Sequence, residues 1–271
     1  MAVKDKPSLS AFTITNFPLL TDGFTFRIQI KVFTTQRESL SEVAFITKAS
    51  VPDQPSDVPV QDPTGTSDTQ IKVIIASPAP GNGGSVIISY EIQMDDGLSG
   101  DYVSIIGFDT NSLLTTYTIT SGIIKGREHR FRYRARNAIG WGPFSSESSI
   151  LAATVPTPPP SPTFSSFSAS TLYINVLPSS DNGGTDIIDY ELWVDAGDDF
   201  SSAFTKLTNY NGASLIYGAN NANDGIVIGK TYRFKTRSHN LIGFSEFSED
   251  GYIAFGDVPS TPAAPTRVSS T

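Results

Sequence analysis

The chain has 271 residues, of which 38% are apolar and 11% aromatic, with 19 basic and 27 acidic side chains and no cysteine. This is enough apolar material for small cores, but no apolar run approaches the ~18 residues of a membrane-spanning helix, so direct membrane insertion is not expected. The net charge of −8 argues against a nucleic-acid partner, and the missing cysteine excludes disulfides and thiolate metal sites.

A long internal repeat organises the sequence. The dipeptide Val-Pro recurs at Val51, Val155 and Val258, at intervals of 155 − 51 = 104 and 258 − 155 = 103 residues. Solenoid units are shorter, about 20–50 residues, so each interval is a whole domain. The predicted divisions are half a repeat over residues 1–50, full repeats over 51–154 and 155–257, and a linker with the first strand of a following repeat over 258–271.

Residues 1–50 match only the second half of the repeat. The segment 12–15 parallels 117–120, and 26–31 parallels 232–237. Strands without their sheet partners would expose an apolar face and unpaired edges. The sequence therefore predicts either an excerpt of a longer array or a half domain completed by strands from another molecule, and the first is favoured.

The first full repeat consists of short β-rich runs separated by Gly, Pro, Asn, Asp and Ser. In chain order the predicted strands surround residues 71–75, 86–92, 102–106, 116–120 and 129–136, with an acidic hairpin over 95–100. In the run 129–136 the odd positions are expected to face a core and the arginines to face outward. No segment has a sustained 3.6-residue apolar period, so helix should be nearly absent.

The second full repeat restates the same motifs. Asn82-Gly83-Gly84 returns as Asn182-Gly183-Gly184, 100 residues later, and Arg130-Phe131-Arg132 returns as Arg233-Phe234-Lys235, 103 residues later. The motif Asn137-Ala138-Ile139-Gly140 corresponds to Asn240-Leu241-Ile242-Gly243. The proline-rich junctions favour stiff, extended linkers.

These motifs, in this order and over essentially the whole chain, resemble tandem fibronectin type III domains. The resemblance implies an all-β fold of tandem seven-stranded Greek-key, immunoglobulin-like β-sandwiches without disulfides, in an elongated array. Two departures concern the core. The family usually has a tryptophan on the second strand, whereas this chain has Ile75 and Val176 in that neighbourhood. The family's corner tyrosine corresponds to Tyr232 in the second full repeat, to His129 in the first and to Phe26 in the N-terminal segment.

A basic–aromatic ladder is the candidate interaction site. It comprises Arg130, Arg132, Arg134, Arg136, Trp141 and Phe144 in one repeat and Arg233, Lys235, Arg237, Phe244 and Phe247 in the next. It is similar to the aromatic–arginine ladder of cytokine-receptor fibronectin domains. One interpretation is stabilisation of its own sheet by stacking and by pairing with Glu91 or Glu191, and this is favoured; the other is a repeated surface for an anionic partner.

Other candidate sites are weaker. The acidic hairpins with Asp95 and Asp195 are more typical of turns than of calcium sites, and the Asn-Gly-Gly loops lack the flanking residues of a phosphate-binding loop. His129 and His239 fall at non-equivalent positions and belong to no recognisable catalytic arrangement. The sequence therefore predicts no enzyme, no cofactor and no metal.

The predicted function is a non-enzymatic structural and interaction protein, a rod-like array that spaces, scaffolds or forms filaments through contacts with other proteins, including further copies of itself or neighbouring repeats. The alternatives are a ligand-binding receptor or adhesion ectodomain that uses the ladder and the elbow between repeats, and a spacer within a larger enzyme. The resemblance alone favours a cell-surface or extracellular filament over a cytoskeletal or ciliary scaffold.

Overall fold

The computed structural model describes residues 22–76, 81–168, 170–256 and 262–265. The predicted strand at 12–15 lies outside the described residues, and of the segment 258–271 only 262–265 are described, where no strand forms. The chain divides into two compact units, the first made of Met1–Asp62, Lys72–Ile119 and Glu128–Ile150, the second of Pro63–Ile71, Thr120–Arg127 and Leu151–Thr271.

The N-terminal described segment forms two antiparallel strand pairs. Its strands are β1 (Thr25–Ile28), β2 (Lys31–Phe33), β3 (Glu38–Leu40) and β4 (Ala44–Thr47), with β1 against β4 and β2 against β3. Large apolar side chains here remain exposed, among them Ile30 at 64%, Phe33 at 66% and Phe45 at 68%. Such exposure is typical of strands whose apolar face has no packing partner among the described residues.

The next seven strands form two sheets. They are β5 (Val60–Gln61), β6 (Ile71–Ile74), β7 (Ser89–Met94), β8 (Val103–Ile106), β9 (Thr116–Ile119), β10 (Glu128–Arg136) and β11 (Ser148–Leu151). One sheet has the order β5-β6-β9 and the other β11-β10-β7-β8. This is the seven-stranded arrangement that the sequence predicts.

The same pattern recurs in the second full repeat. Its strands are β12 (Thr163–Ser168), β13 (Thr171–Asn175), β14 (Asp189–Val194), β15 (Thr205–Lys206), β16 (Ile216–Asn220), β17 (Lys230–His239) and β18 (Gly251–Phe255). The sheets have the orders β12-β13-β16 and β15-β14-β17-β18. The described residues contain one helix, the four-residue α1 (Asn221–Asp224), which confirms the prediction of an all-β fold with almost no helix.

Strand alternation builds both cores. On β10 the buried residues Phe131, Tyr133 and Ala135 alternate with half-buried arginines, as predicted. In the second sandwich Leu172 of β13 and Phe234 of β17 belong to one buried cluster. Ile75 and Val176, at the positions where a tryptophan is usual, are both buried. Among the described residues, no helix is long and apolar enough to cross a membrane.

Candidate interaction site

Each full repeat has its own ladder, and the outer face of β10 carries the first one. Arg132 is held between two rings, with its guanidinium carbon 4.0 Å from the centroid of Tyr102 and 4.1 Å from that of Phe144. Arg134 continues the stack at 4.2 Å from Phe144 and 4.8 Å from Trp141. The cations and rings therefore alternate along the strand, an arrangement in which each contact is worth about 0.5–2 kcal/mol.

The second ladder, on β17, has the same layout with different residues. The Lys235 ammonium lies 4.2 Å from the centroids of both Phe204 and Phe247. Arg237 lies 4.2 Å from Phe244 and 4.8 Å from Phe247. Every residue of the sequence-predicted ladder is thus brought to the same face of its own sheet.

Neighbouring strands supply ladder rings that the sequence pattern did not identify. Tyr102 precedes β8, Phe204 precedes β15, and Trp193 of β14 packs edge-on against Phe247 with centroids 5.6 Å apart. Phe108 stacks on Trp141 at 6.1 Å. Burial, reinforced by Glu147, raises the pKa of Tyr102 to about 12, so this ring stays neutral in the ladder.

Buried glutamates neutralise the middle of each ladder. Glu91, fully buried on β7, accepts a hydrogen bond from Arg134 at 2.6 Å. Glu191 accepts from Arg237 at 2.7 Å and from Lys206 at 2.7 Å. Burial alone would raise the pKa of Glu191, but the hydrogen bonds from Lys206, Arg237 and Trp193 lower it to about 2. These cations are therefore paired within the sheet.

The first cation of each ladder is held by a buried aspartate of the hairpin. Asp95 accepts from the backbone amide of Arg130 at 2.8 Å and from its Nε at 2.7 Å. Asp195 makes the equivalent bonds to Arg233 at 3.0 and 2.8 Å. Burial opposes ionisation of Asp95, but the bonds from Arg130 outweigh it and lower the pKa of this carboxyl. The two aspartates are structural groups, and the described residues contain no cluster with metal-ligand composition.

An asparagine in each repeat fastens the Val-Pro linker to the sandwich. In the first unit Asn137 donates its side-chain amide to the carbonyl oxygens of Ser50 at 2.6 Å and Asn82 at 2.8 Å. In the second unit Asn240 donates to Thr154 and Asn182, both at 2.8 Å. The repeated Asn-x-Ile-Gly motif was visible in the sequence, but its role as a linker clamp was not.

The histidines and the Asn-Gly-Gly loops have structural contacts. His129 is buried, with Nδ1 3.2 Å from the carbonyl oxygen of Asp95, whereas His239 stacks on Phe244 with ring centroids 4.1 Å apart. In the loops, the side-chain oxygens of Asn82 and Asn182 accept from the amides two residues later. These loops are turns, as the sequence predicts.

A cavity of about 450 Å³ opens in the second sandwich beside α1. Its two carboxylates are already engaged, since Asp195 binds Arg233 while Asp224 accepts from the Tyr217 hydroxyl at 2.9 Å and the Asn220 amide at 3.1 Å. Both carboxylates that line the cavity are therefore held in structural hydrogen bonds.

No family model matches the chain. Among solved structures, it is similar to the FN1–FN3 domains of chicken CNTN1, with 15% identity, 87% of this chain and 79% of that chain covered, and a TM-score of 0.41. It is also similar to domains A168–A170 of titin, with 14% identity, 84% and 74% covered, and a TM-score of 0.43. The strand orders described above define two seven-stranded β-sandwiches in tandem.

Proposed function

We propose that this chain is a non-enzymatic structural and interaction segment, in which successive sandwiches space or scaffold other proteins. The observation that carries the proposal is the repeated clamp of Asn137 and Asn240 on the linker carbonyls of Ser50 and Thr154. A buried side-chain amide that bonds the same linker position in successive repeats fixes where each sandwich begins. The function is therefore assigned to the repeated framework.

The ladder supports the same assignment. Apart from Arg136, its charged groups are engaged within their own sheets, for example by Glu91 and Glu191 and by ring stacking at Lys235. A cation that is stacked and paired on both sides has little remaining capacity for an external anion. The ladder therefore acts as a surface brace that keeps each four-stranded sheet rigid while the array bears load or spaces partners.

Small-angle X-ray scattering combined with light-scattering mass tests this function on the full chain over a range of concentrations. We expect a monomer of 29.1 kDa whose radius of gyration clearly exceeds the about 18 Å of a compact chain of this length. A compact particle would contradict the spacing function. An assembly that grows with concentration would instead favour exchange of strands at residues 22–50, making that segment a polymerisation element.

A second candidate function, binding of an anionic protein partner, draws on the end of the first ladder. Arg136 lies 5.5 Å over Trp141, and among the described residues it has no carboxylate within ion-pairing distance. Titration with poly-glutamate, followed by Trp141 fluorescence in a Trp193→Phe background, tests it. Saturable binding that is lost in Arg136→Glu and weakened by salt would support this function, and no fluorescence change at low salt would contradict it.

A further inference from the structure

One turn occurs three times in the described chain with the same conformation. It is built on glycines spaced by 126 − 23 = 103 and 229 − 126 = 103 residues: Gly23, Gly126 and Gly229. All three have positive φ, at 93°, 77° and 91°. Their amides donate to equivalent carbonyls of the strand that leaves the sandwich, those of Lys48 (2.8 Å), Ala152 (2.8 Å) and Phe255 (2.7 Å).

Two of the three turns are covered by an Asn-Gly-Gly loop. Inside the first unit, a Cβ added at Gly84 would overlap the amide nitrogen of Gly23. Inside the second unit, a Cβ added at Gly184 would lie 3.0 Å from the amide nitrogen of Gly126. The contact is backbone against backbone, and the positive φ of Gly84 (75°) and Gly184 (97°) also favours glycine in the loop.

The third turn is open. A Cβ added at Gly229 would meet no described atom within 4 Å. The residue before it, Ile228, is 44% exposed, whereas its counterpart Lys125 forms an ion pair with Asp181 of the covering loop. The turn at 228–230 thus has the same backbone conformation as the two covered turns, but no loop among the described residues covers it.

The strand that binds each turn also delivers the loop that covers it. Ala152 bonds the turn glycine through its carbonyl, and two residues later the Thr154 amide donates to Gly183 of the loop at 2.8 Å. In the first unit the Ser50 amide, two residues after Lys48, donates to Gly83 at 2.8 Å. In both repeats the loop is therefore held by the segment that directly follows the strand, which favours a loop on the same chain.

The sequence after the open turn has the same spacing. Val-Pro follows the bonding carbonyl by three residues in each case: Lys48 to Val51, Ala152 to Val155 and Phe255 to Val258. We propose that the turn at 228–230 is a docking site for the Asn-Gly-Gly loop of a further repeat, carried on the same chain beyond Val258-Pro259. This inference rests on the proposed array function and adds the surface by which one repeat receives the next.

Distance measurement in an extended chain tests the proposal. Because Thr271 corresponds to residue 168, residues 169–257 are appended after it to complete a third repeat with its own Asn-Gly-Gly loop. The chain has no cysteine, so pairs of introduced cysteines can be spin-labelled selectively. The test pair is Asn223→Cys with Asp186→Cys in the appended segment. The matched control pair is Thr120→Cys with the original Asp186→Cys. All of these sites lie outside the contact between the turn and the Asn-Gly-Gly loop.

Pulsed electron paramagnetic resonance then compares the two distance distributions. We expect the test pair to give a single narrow distribution centred where the control is centred. A broad or clearly longer distribution for the test pair, beside a narrow control, would overturn the docking site.

Charge at residue 228 provides a second measurement in the same background. Ile228→Glu would face Asp181 of the appended segment and should broaden the distribution, whereas Ile228→Lys recreates the pair made by Lys125 and should keep it narrow. A distance distribution that stays narrow in Ile228→Glu would contradict contact between the loop and this turn. If the spin labels show no docking while scattering still shows an elongated monomer, the array function stands. A compact particle, or an assembly that grows with concentration, would refute the array function whatever the distance distributions are.

Discussion

Asn240 donates its side-chain amide to the carbonyl oxygen of Thr154, and both of its donor bonds end on backbone carbonyls of the linker and the Asn-Gly-Gly loop. Its Oδ1 in turn accepts from the amides of Ile242 at 2.9 Å and Gly243 at 3.1 Å. One buried side chain therefore ties together three segments that are distant in sequence, and its removal leaves several polar groups without partners.

Asn240→Ala should lower the free energy of unfolding of the second sandwich by about 2 kcal/mol, because buried carbonyls and amides lose their bonds. Urea denaturation followed by Trp193 fluorescence in a Trp141→Phe background measures it. Asn221→Ala, at an exposed position of α1, serves as the control and should change stability by less than about 0.5 kcal/mol. Equal effects of the two variants would contradict the clamp.

The stability of the second sandwich should fall as the pH falls from about 5 towards 2. The pKa of Glu191 is about 2 in the folded chain against an ordinary 4.5, so its ionised form stabilises the fold above the unfolded pKa, and this contribution is lost as the pH approaches the folded pKa. Glu191→Gln should reduce the difference in unfolding free energy between pH 7 and pH 2 by about 3 kcal/mol. Urea titrations at several pH values measure it, with the exposed Glu246→Gln as the matched control.

Lys235→Met should destabilise the second sandwich by about 0.5–2 kcal/mol, because the charge between Phe204 and Phe247 is lost while the length of the side chain is kept. Thermal unfolding monitored by circular dichroism measures the change. Lys235→Arg, which copies Arg132 of the first ladder, should retain the stability. A loss as large in Lys235→Arg as in Lys235→Met would show that packing, not the cation, is responsible.

Tyr232→Phe should cost the second sandwich about 1–2 kcal/mol, since the buried Tyr232 hydroxyl accepts a hydrogen bond from the Val227 amide at 2.8 Å. The variant keeps the ring and removes only the hydroxyl, so denaturation midpoints compare like with like. Tyr252→Phe, on an exposed tyrosine of β18, is the control. An unchanged midpoint for Tyr232→Phe would show that this corner bond does not contribute.

Much of the fold could be predicted because it depends on local patterns. The alternation of Phe131, Tyr133 and Ala135 with arginines fixes which side of β10 is buried. Tyr232 was identified as the corner tyrosine by its place in the repeat, and its bonds to Val227 agree. A two-residue alternation can be recognised within a single strand, so the buried side of that strand can be predicted without knowing which strands pair with it.

The rest of the ladder could not be predicted, because it depends on strand register. Tyr102 and Phe204 reach the cations from hairpin segments whose pairing includes an irregularity between Ile92 and Gln93 in one repeat and a strand of only two residues in the other. The sequence predicts Asp95 only as part of an acidic hairpin turn, whereas the structure buries it against Arg130. A side chain at a strand end can turn inward or outward with equal sequence cues, so its burial follows from tertiary packing alone.

The two-residue step between Ala152, which bonds one turn, and Thr154, which bonds the next loop, limits where the chain tolerates insertions and deletions. The interval from Val-Pro to the loop glycine shrinks from 84 − 52 = 32 to 184 − 156 = 28 residues between the repeats, while the three residues from Ala152 to Val155 equal those from Lys48 to Val51. Length has thus varied inside the sandwiches but not at this step. A single residue inserted there would break both hydrogen bonds at once, whereas a hairpin loop would absorb the same change.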